Sequence, residues 1–204
     1  ELGDPADTSN GPIERIIKSV NKQTQFVNQD HAEMVGFELE ARKNLSEHHQ
    51  YLRGITVGAN YTWLESEISV GTLESDLDGA GTRPLVGQSP YLFNFDITYN
   101  NSSLGLTTSI FYNIYGERLD SVSLSTGKNS EGLNTGPPNI YEQPVGTLDF
   151  MFSKELKENW KLKFTAKNLL DPAVKKTYSY KGEEYVFSLY NRGRSYSLSF
   201  DYSF

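Results

Sequence analysis

Gly193-Arg194-Ser195-Tyr196-Ser197-Leu198-Ser199-Phe200-Asp201-Tyr202-Ser203-Phe204 ends the chain on a strict two-residue rhythm. Tyr196, Leu198, Phe200, Tyr202 and Phe204 fall on one side, and Ser195, Ser197, Ser199, Asp201 and Ser203 on the other. Side chains alternate across a strand, so this segment makes a strand with one apolar and one polar face. A helix would scatter the same residues around its circumference.

The rhythm recurs upstream. Trp160, Leu162, Phe164 and Ala166 oppose Lys161, Lys163, Thr165 and Lys167. Leu148, Phe150 and Phe152 oppose Thr147, Asp149, Met151 and Ser153. Leu106, Thr108, Ile110, Tyr112 and Ile114 oppose Thr107, Ser109, Phe111, Asn113 and Tyr115. Similar runs start at Tyr91, Ile55 and Val35. Each approaches the ~9–11 residues a tilted strand needs to cross a bilayer. Residues 12–30 are weaker; Ile13, Ile16 and Ile17 mark part of one further strand.

Connections alternate as well. Short ones fall at 46–52, 100–103 and 155–159; long ones fall at 66–89, 117–143 and 169–192. Short turns at one end and long loops at the other is the asymmetry of outer-membrane barrels, whose short turns are periplasmic. The expected fold is therefore all-β, an antiparallel transmembrane β-barrel, with the C-terminus in the periplasm and the long loops outside.

Composition agrees. Only 37% of the residues are hydrophobic, yet there are 13 Tyr and 11 Phe. No run approaches the ~18 apolar residues of a membrane helix. A barrel is not excluded, because alternation dilutes its hydropathy. The absence of cysteine removes disulfide scaffolds and thiolate metal sites. A net charge of -7 argues against a nucleic-acid partner. The opening residues are polar and acidic with no secretory signal, so Glu1 is expected to be a processed or cut edge.

An antiparallel sandwich also alternates. Three features favour the membrane. Aromatic residues stand toward the ends of the apolar rows (Tyr91 and Tyr99, Tyr61 and Trp63, Tyr196 and Tyr202), as at membrane interfaces. The opposite rows carry charge deep within strands, at Glu38, Glu40, Arg42, Asp96, Asp149, Lys161, Lys163, Lys167 and Asp201. The final residue is an aromatic of the apolar row. An open sheet in hydrocarbon would leave two unpaired edges, at several kcal/mol per lost hydrogen bond. Unless it closes on itself, the sheet must pair with strands outside this sequence.

Ordered pieces carry a family resemblance: Pro12-Ile13-Glu14; Gly36-Phe37-Glu38-Leu39-Glu40 with Lys43-Asn44-Leu45; Asn60-Tyr61-Thr62-Trp63-Leu64; Gly87-Gln88-Ser89-Pro90-Tyr91 with Asn94; Asn168-Leu169-Leu170-Asp171-Pro172; Gly193-Arg194; and Tyr202-Ser203-Phe204. The set resembles the C-terminal barrel of TonB-dependent outer-membrane receptors of the Bacteroidetes kind. That resemblance implies that residues 1–204 form about the last seven or eight strands of a 22-stranded barrel. Its plug and TonB box would lie in the missing N-terminal region. Implied partners are outer-membrane lipid, the rest of the barrel and plug, TonB, and a small-molecule or oligosaccharide ligand. The implied function is TonB-energised uptake of a siderophore, haem, cobalamin or oligosaccharide. The alternative is a standalone small barrel with a structural or adhesive role.

Few residues invite chemistry. Tyr196, Leu198, Phe200, Tyr202 and Phe204 are expected to face lipid and to serve as the assembly signal of the last strand. Tyr141, Tyr178, Tyr180 and Tyr185, in polar loops, are candidate ligand contacts. Glu74, Asp76 and Asp78 precede Gly79 as in a calcium loop, but position twelve is Leu85 instead of Glu. A solvated acidic loop is the stronger reading and calcium the alternative. His48 and His49 are adjacent and point apart, so no metal site is expected. No nucleophile–base pattern or phosphate-cradling loop occurs, and no enzyme is expected.

Overall fold

The computed structural model describes residues 31–46, 49–71, 74, 81–125, 127–132, 134–157 and 159–203. The expected strand within 12–30 lies outside them, as do His48, Asp76, Asp78 and Phe204. Fourteen strands follow in chain order: β1 (Ala32–Asn44), β2 (Ile55–Ser69), β3 (Thr82–Arg83), β4 (Tyr91–Asn101), β5 (Leu106–Tyr115), β6 (Arg118–Ser121), β7 (Gly127–Lys128), β8 (Asn134–Thr135), β9 (Ile140–Glu142), β10 (Val145–Lys157), β11 (Trp160–Lys167), β12 (Ala173–Tyr180), β13 (Glu183–Asn191) and β14 (Ser195–Tyr202).

The wall is an antiparallel meander, β1-β2-β4-β5-β10-β11-β14, with β3 paired to the far end of β2. Its seven members are the seven alternating runs of the sequence. Register brings like residues together. Ala59, Phe95, Tyr112 and Leu148 form one apolar row, and Asn60, Asn94 and Asn113 the neighbouring polar one. A one-residue slip would put every side chain on the wrong face, so the alternation itself fixes the register.

The apolar rows are not covered by the chain. Leu39 is 63% exposed, Leu198 69% and Phe200 59%. A soluble sandwich would bury these rows against a second sheet. Each such side chain gains about 1.5–3 kcal/mol on leaving water, so the rows demand an apolar surrounding. Rings gather at both ends of the band. Phe37 stacks on Trp63 at 5.7 Å near the long loops, and Trp160 meets Tyr202 at 4.7 Å near the short turns.

Short turns close with specific devices. Gly54 has φ +80°, and a Cβ there would stand 2.1 Å from the Asn100 carbonyl oxygen, so only glycine fits. Asn101 accepts from the Leu104 N–H at 3.1 Å to cap the turn between β4 and β5.

The long connections are built of strands where loops were expected. β6, β9, β12 and β13 form a second sheet in the order β13-β12-β9-β6. The fully buried side chains Leu119 and Val174 lie here, with Thr177 at 2% and Glu142 at 4% exposure. The wall passes into this rim at Asn168 and Asp171, both with positive φ. There Asn168 donates its side-chain amide to the Gly193 carbonyl at 2.8 Å, Gly193 N–H donates to the Asp171 carboxylate at 2.9 Å, and Arg194 donates to the Leu169 carbonyl at 2.9 Å. Asn168-Leu169-Leu170-Asp171-Pro172 and Gly193-Arg194 thus form one latch across the β11–β12 and β13–β14 junctions.

Candidate functional site

Hydrogen bonds link the polar face of the wall across β1, β2, β4 and β5. The Asn60 amide donates to Glu38, Asn94 donates to Asn60 at 3.4 Å, and Asn113 donates to Asn94 at 2.6 Å. Arg42 reaches across a whole strand to donate twice to Asp96, at 2.9 and 3.2 Å. It passes over Gly58, where a Cβ would lie 2.8 Å from its guanidinium. Lys161 stands in register between Glu155 and Asp201, so the basic stripe of β11 has acidic cross-strand neighbours. Phe111 interrupts the polar row between Asp96 and Asp149.

At the rim these charges tighten into a cluster. Glu142 accepts from the Tyr115 hydroxyl at 2.5 Å and from Arg118 at 2.8 Å, while the Arg118 guanidinium lies 4.4 Å over the Tyr115 ring. Burial alone would push the Glu142 carboxyl up. The hydrogen bonds from Tyr115 and Arg118 and the charges of Arg118 and Arg192 outweigh it and hold the carboxyl below its ordinary range. Beside it Lys176 pairs with Asp120 at 2.8 Å. Burial raises the Asp120 carboxyl, and Lys176 with Ser121 pulls it below normal. Gln143 donates to Glu117 and, at 2.9 Å, to Thr177, joining the strands of the rim.

Of the four tyrosines singled out in the sequence, three come together. Tyr178 and Tyr185 are cross-strand partners on the β12–β13 hairpin, with rings stacked at 5.5 Å, and Tyr180 follows two residues along on the same face. Tyr180 and Tyr185 are 47% and 41% exposed, and the Lys181 ammonium lies 5.3 Å from the Tyr180 ring. Tyr141 pairs in register with Thr177, on the opposite face of the rim sheet. Glu74 is held by Arg83 through two hydrogen bonds, at 2.6 and 2.9 Å. Tyr196, Leu198, Phe200 and Tyr202 are exposed along the free edge strand β14.

Sequence reasoning missed a cavity in the upper wall. Leu64 N–H donates to the Pro90 carbonyl at 3.0 Å, and Ile68 pairs with Arg83. Between these points three residues of β2, 65–67, face six of the returning chain, 84–89. Pro84 and Pro90 have no N–H to give, and Leu85 N–H turns to the Ser66 hydroxyl at 3.0 Å instead of to main chain. The ladder opens, leaving a cavity of about 490 Å³ bordered by β2, the 84–90 segment, β6 and β9. The two prolines in the descending segment were the available signal.

A paired antiparallel wall with one exposed apolar face and one hydrogen-bonded polar face, not closed on itself among the described residues, is part of a membrane barrel. The family model that matches is the TonB dependent receptor-like β-barrel, over residues 2–169. The chain belongs to this family. Members of the TonB-dependent receptor family are outer-membrane transporters, not enzymes, and work with a plug, a ligand and TonB. No curated protein and no solved structure matches the chain. The matched stretch of the receptor barrel runs from before β1 to the start of the latch. Beyond it, β14 continues the receptor's wall in register with β11, from Trp160 opposite Tyr202 to Lys167 opposite Ser195.

Proposed function

We propose that the chain supplies the last strands of a plugged, 22-stranded importer that takes up a siderophore, haem, cobalamin or oligosaccharide. The observation that carries this reading is the exposed apolar face of a sheet whose end strands, β1 and β14, are not paired to each other. Among the described residues each edge has an unpaired ladder that hydrocarbon does not tolerate, which favours further strands on both sides. The short turns would then be periplasmic, with the rim outside. Tyr178, Tyr180 and Tyr185 would meet ligand there through their exposed rings, and β14 would present the assembly signal. Catalysis has no part in this reading.

Uptake of radiolabelled ligands from the four classes, in cells expressing the full-length receptor with and without TonB, tests it. One class should accumulate only when TonB is present. Accumulation independent of TonB would overturn the importer. The standalone small barrel requires a closed wall. Paired cysteines at Glu40 and Ser199, both on the polar face, would crosslink readily in a small closed barrel that brought β1 beside β14, and should not in the large one.

A further inference from the structure

The cavity in the upper wall has a definite chemical character. Trp63 and Tyr141 give it aromatic walls, and Glu65, Gln88, Glu117 and Arg118 its polar ones. Among the described residues the cation of its lining is Arg118, already engaged by Glu142 and lying over Tyr115. The described lining therefore offers an anion no uncommitted positive group, while the carboxylates Glu65 and Glu117 are exposed. The Gln88 side-chain oxygen is buried without a hydrogen-bond partner among the described residues, an acceptor open to a donor. An occupant that brings an N–H donor and positive charge, on an apolar body that lies against the rings, matches this lining. Aromatic faces and carboxylates together recognise organic ammonium groups.

We propose that this cavity binds a small organic cation, a primary ammonium on an apolar body. The site lies where the ladder between β2 and the 84–90 segment opens, away from the hairpin tyrosines Tyr178, Tyr180 and Tyr185. About 490 Å³ is ample for a single substituted ring.

The test is titration calorimetry of the full-length receptor, purified in detergent, with benzylammonium chloride, benzyl alcohol and sodium benzoate. Benzylammonium should give saturable heat. Benzyl alcohol, of the same shape without charge, should bind at least tenfold more weakly, and benzoate should give none. Glu65→Gln and Glu117→Gln should each weaken benzylammonium at least threefold, whereas Glu131→Gln, a carboxylate elsewhere in the rim, should leave it unchanged. Heat-modifiable migration of each variant confirms that it has assembled. Equal binding of benzyl alcohol would reveal a merely apolar hollow. Unchanged affinity in both carboxamide variants, or no saturable heat at all, would equally overturn the proposal. Binding of glucose in place of benzylammonium would make the cavity a sugar site and refute the cation.

Discussion

Gly54 and Gly58 show how two glycines in one strand region answer to different causes. At Gly54 the obstacle is backbone: φ is positive and a Cβ would strike the Asn100 carbonyl. At Gly58 the obstacle is the tip of a flexible arginine and the Asp96 carboxylate. Gly54→Ala should therefore destabilise by about 1–3 kcal/mol. Gly58→Ala should cost about 0–1 kcal/mol, the worth of a half-exposed ion pair, because Arg42 can swing aside. Urea titration of refolded full-length protein in micelles gives both values; an equal or reversed order would contradict this assignment. Glu142 belongs to the same scale. Its carboxyl is held below the ordinary value, so its stabilising contribution is present above about pH 4 and is lost as pH falls through the depressed value. Amide exchange in β6 and β9 should rise as the carboxyl protonates on acidification, and Glu142→Gln should flatten that response. An unaltered acid response in the variant would exclude Glu142 as its source.

Wall strands were legible in the sequence because they alternate over most of their length, with few exceptions such as Phe111 and Met151, and alternation has one structural meaning when both faces are sharply different. β5 begins at Leu106 and ends at Tyr115, as its pattern predicts. β12 and β13 were hidden inside a segment read as loop. Their pairing skips a residue between Lys176 and Thr177, so Phe187 falls out of step and breaks the rhythm on which the reading depends. β6 and β9 have only four and three residues, too few to show a period. Pairing of Tyr178 with Tyr185 needed that hidden hairpin, and the separation of Tyr141 needed the register of β9. The sharpest test of an element is β14. Leu198→Lys places a charge midway along the apolar row of β14, at about 2–4 kcal/mol near the bilayer centre, and should abolish assembly into outer-membrane fractions. Ser197→Lys, on the polar row opposite Thr165, should assemble. Equal yields of the two variants would invalidate the division of faces.

For the whole molecule, the outer ladders of β1 and β14, unpaired among the described residues, govern behaviour. A strand left bare at the edge of a sheet recruits another, so the isolated 204-residue chain should form sheet-extended oligomers in micelles while the full-length receptor stays monodisperse. Light scattering distinguishes the two, and a monomeric isolated chain with native strand content would show that the edges need no partners. The hairpin tyrosines belong at this scale too, since they act on ligand only within a complete rim. Tyr178→Ala with Tyr185→Ala should lower uptake of the cognate ligand several-fold with assembly intact, read from transport and from surface labelling of the same cells. Undiminished uptake would remove the hairpin from the ligand's path.

Leu119 and Val174, the two fully buried side chains among the described residues, sit in the rim, while Leu39, Leu198 and Phe200 of the wall stand exposed. Two media therefore maintain one molecule. Water drives the rim together in the ordinary way of a small soluble protein, and oil does the corresponding work for the wall from outside. Stripping away the oil would strike the two parts unequally: the wall would lose its reason to stay ordered first, and the rim would outlast it.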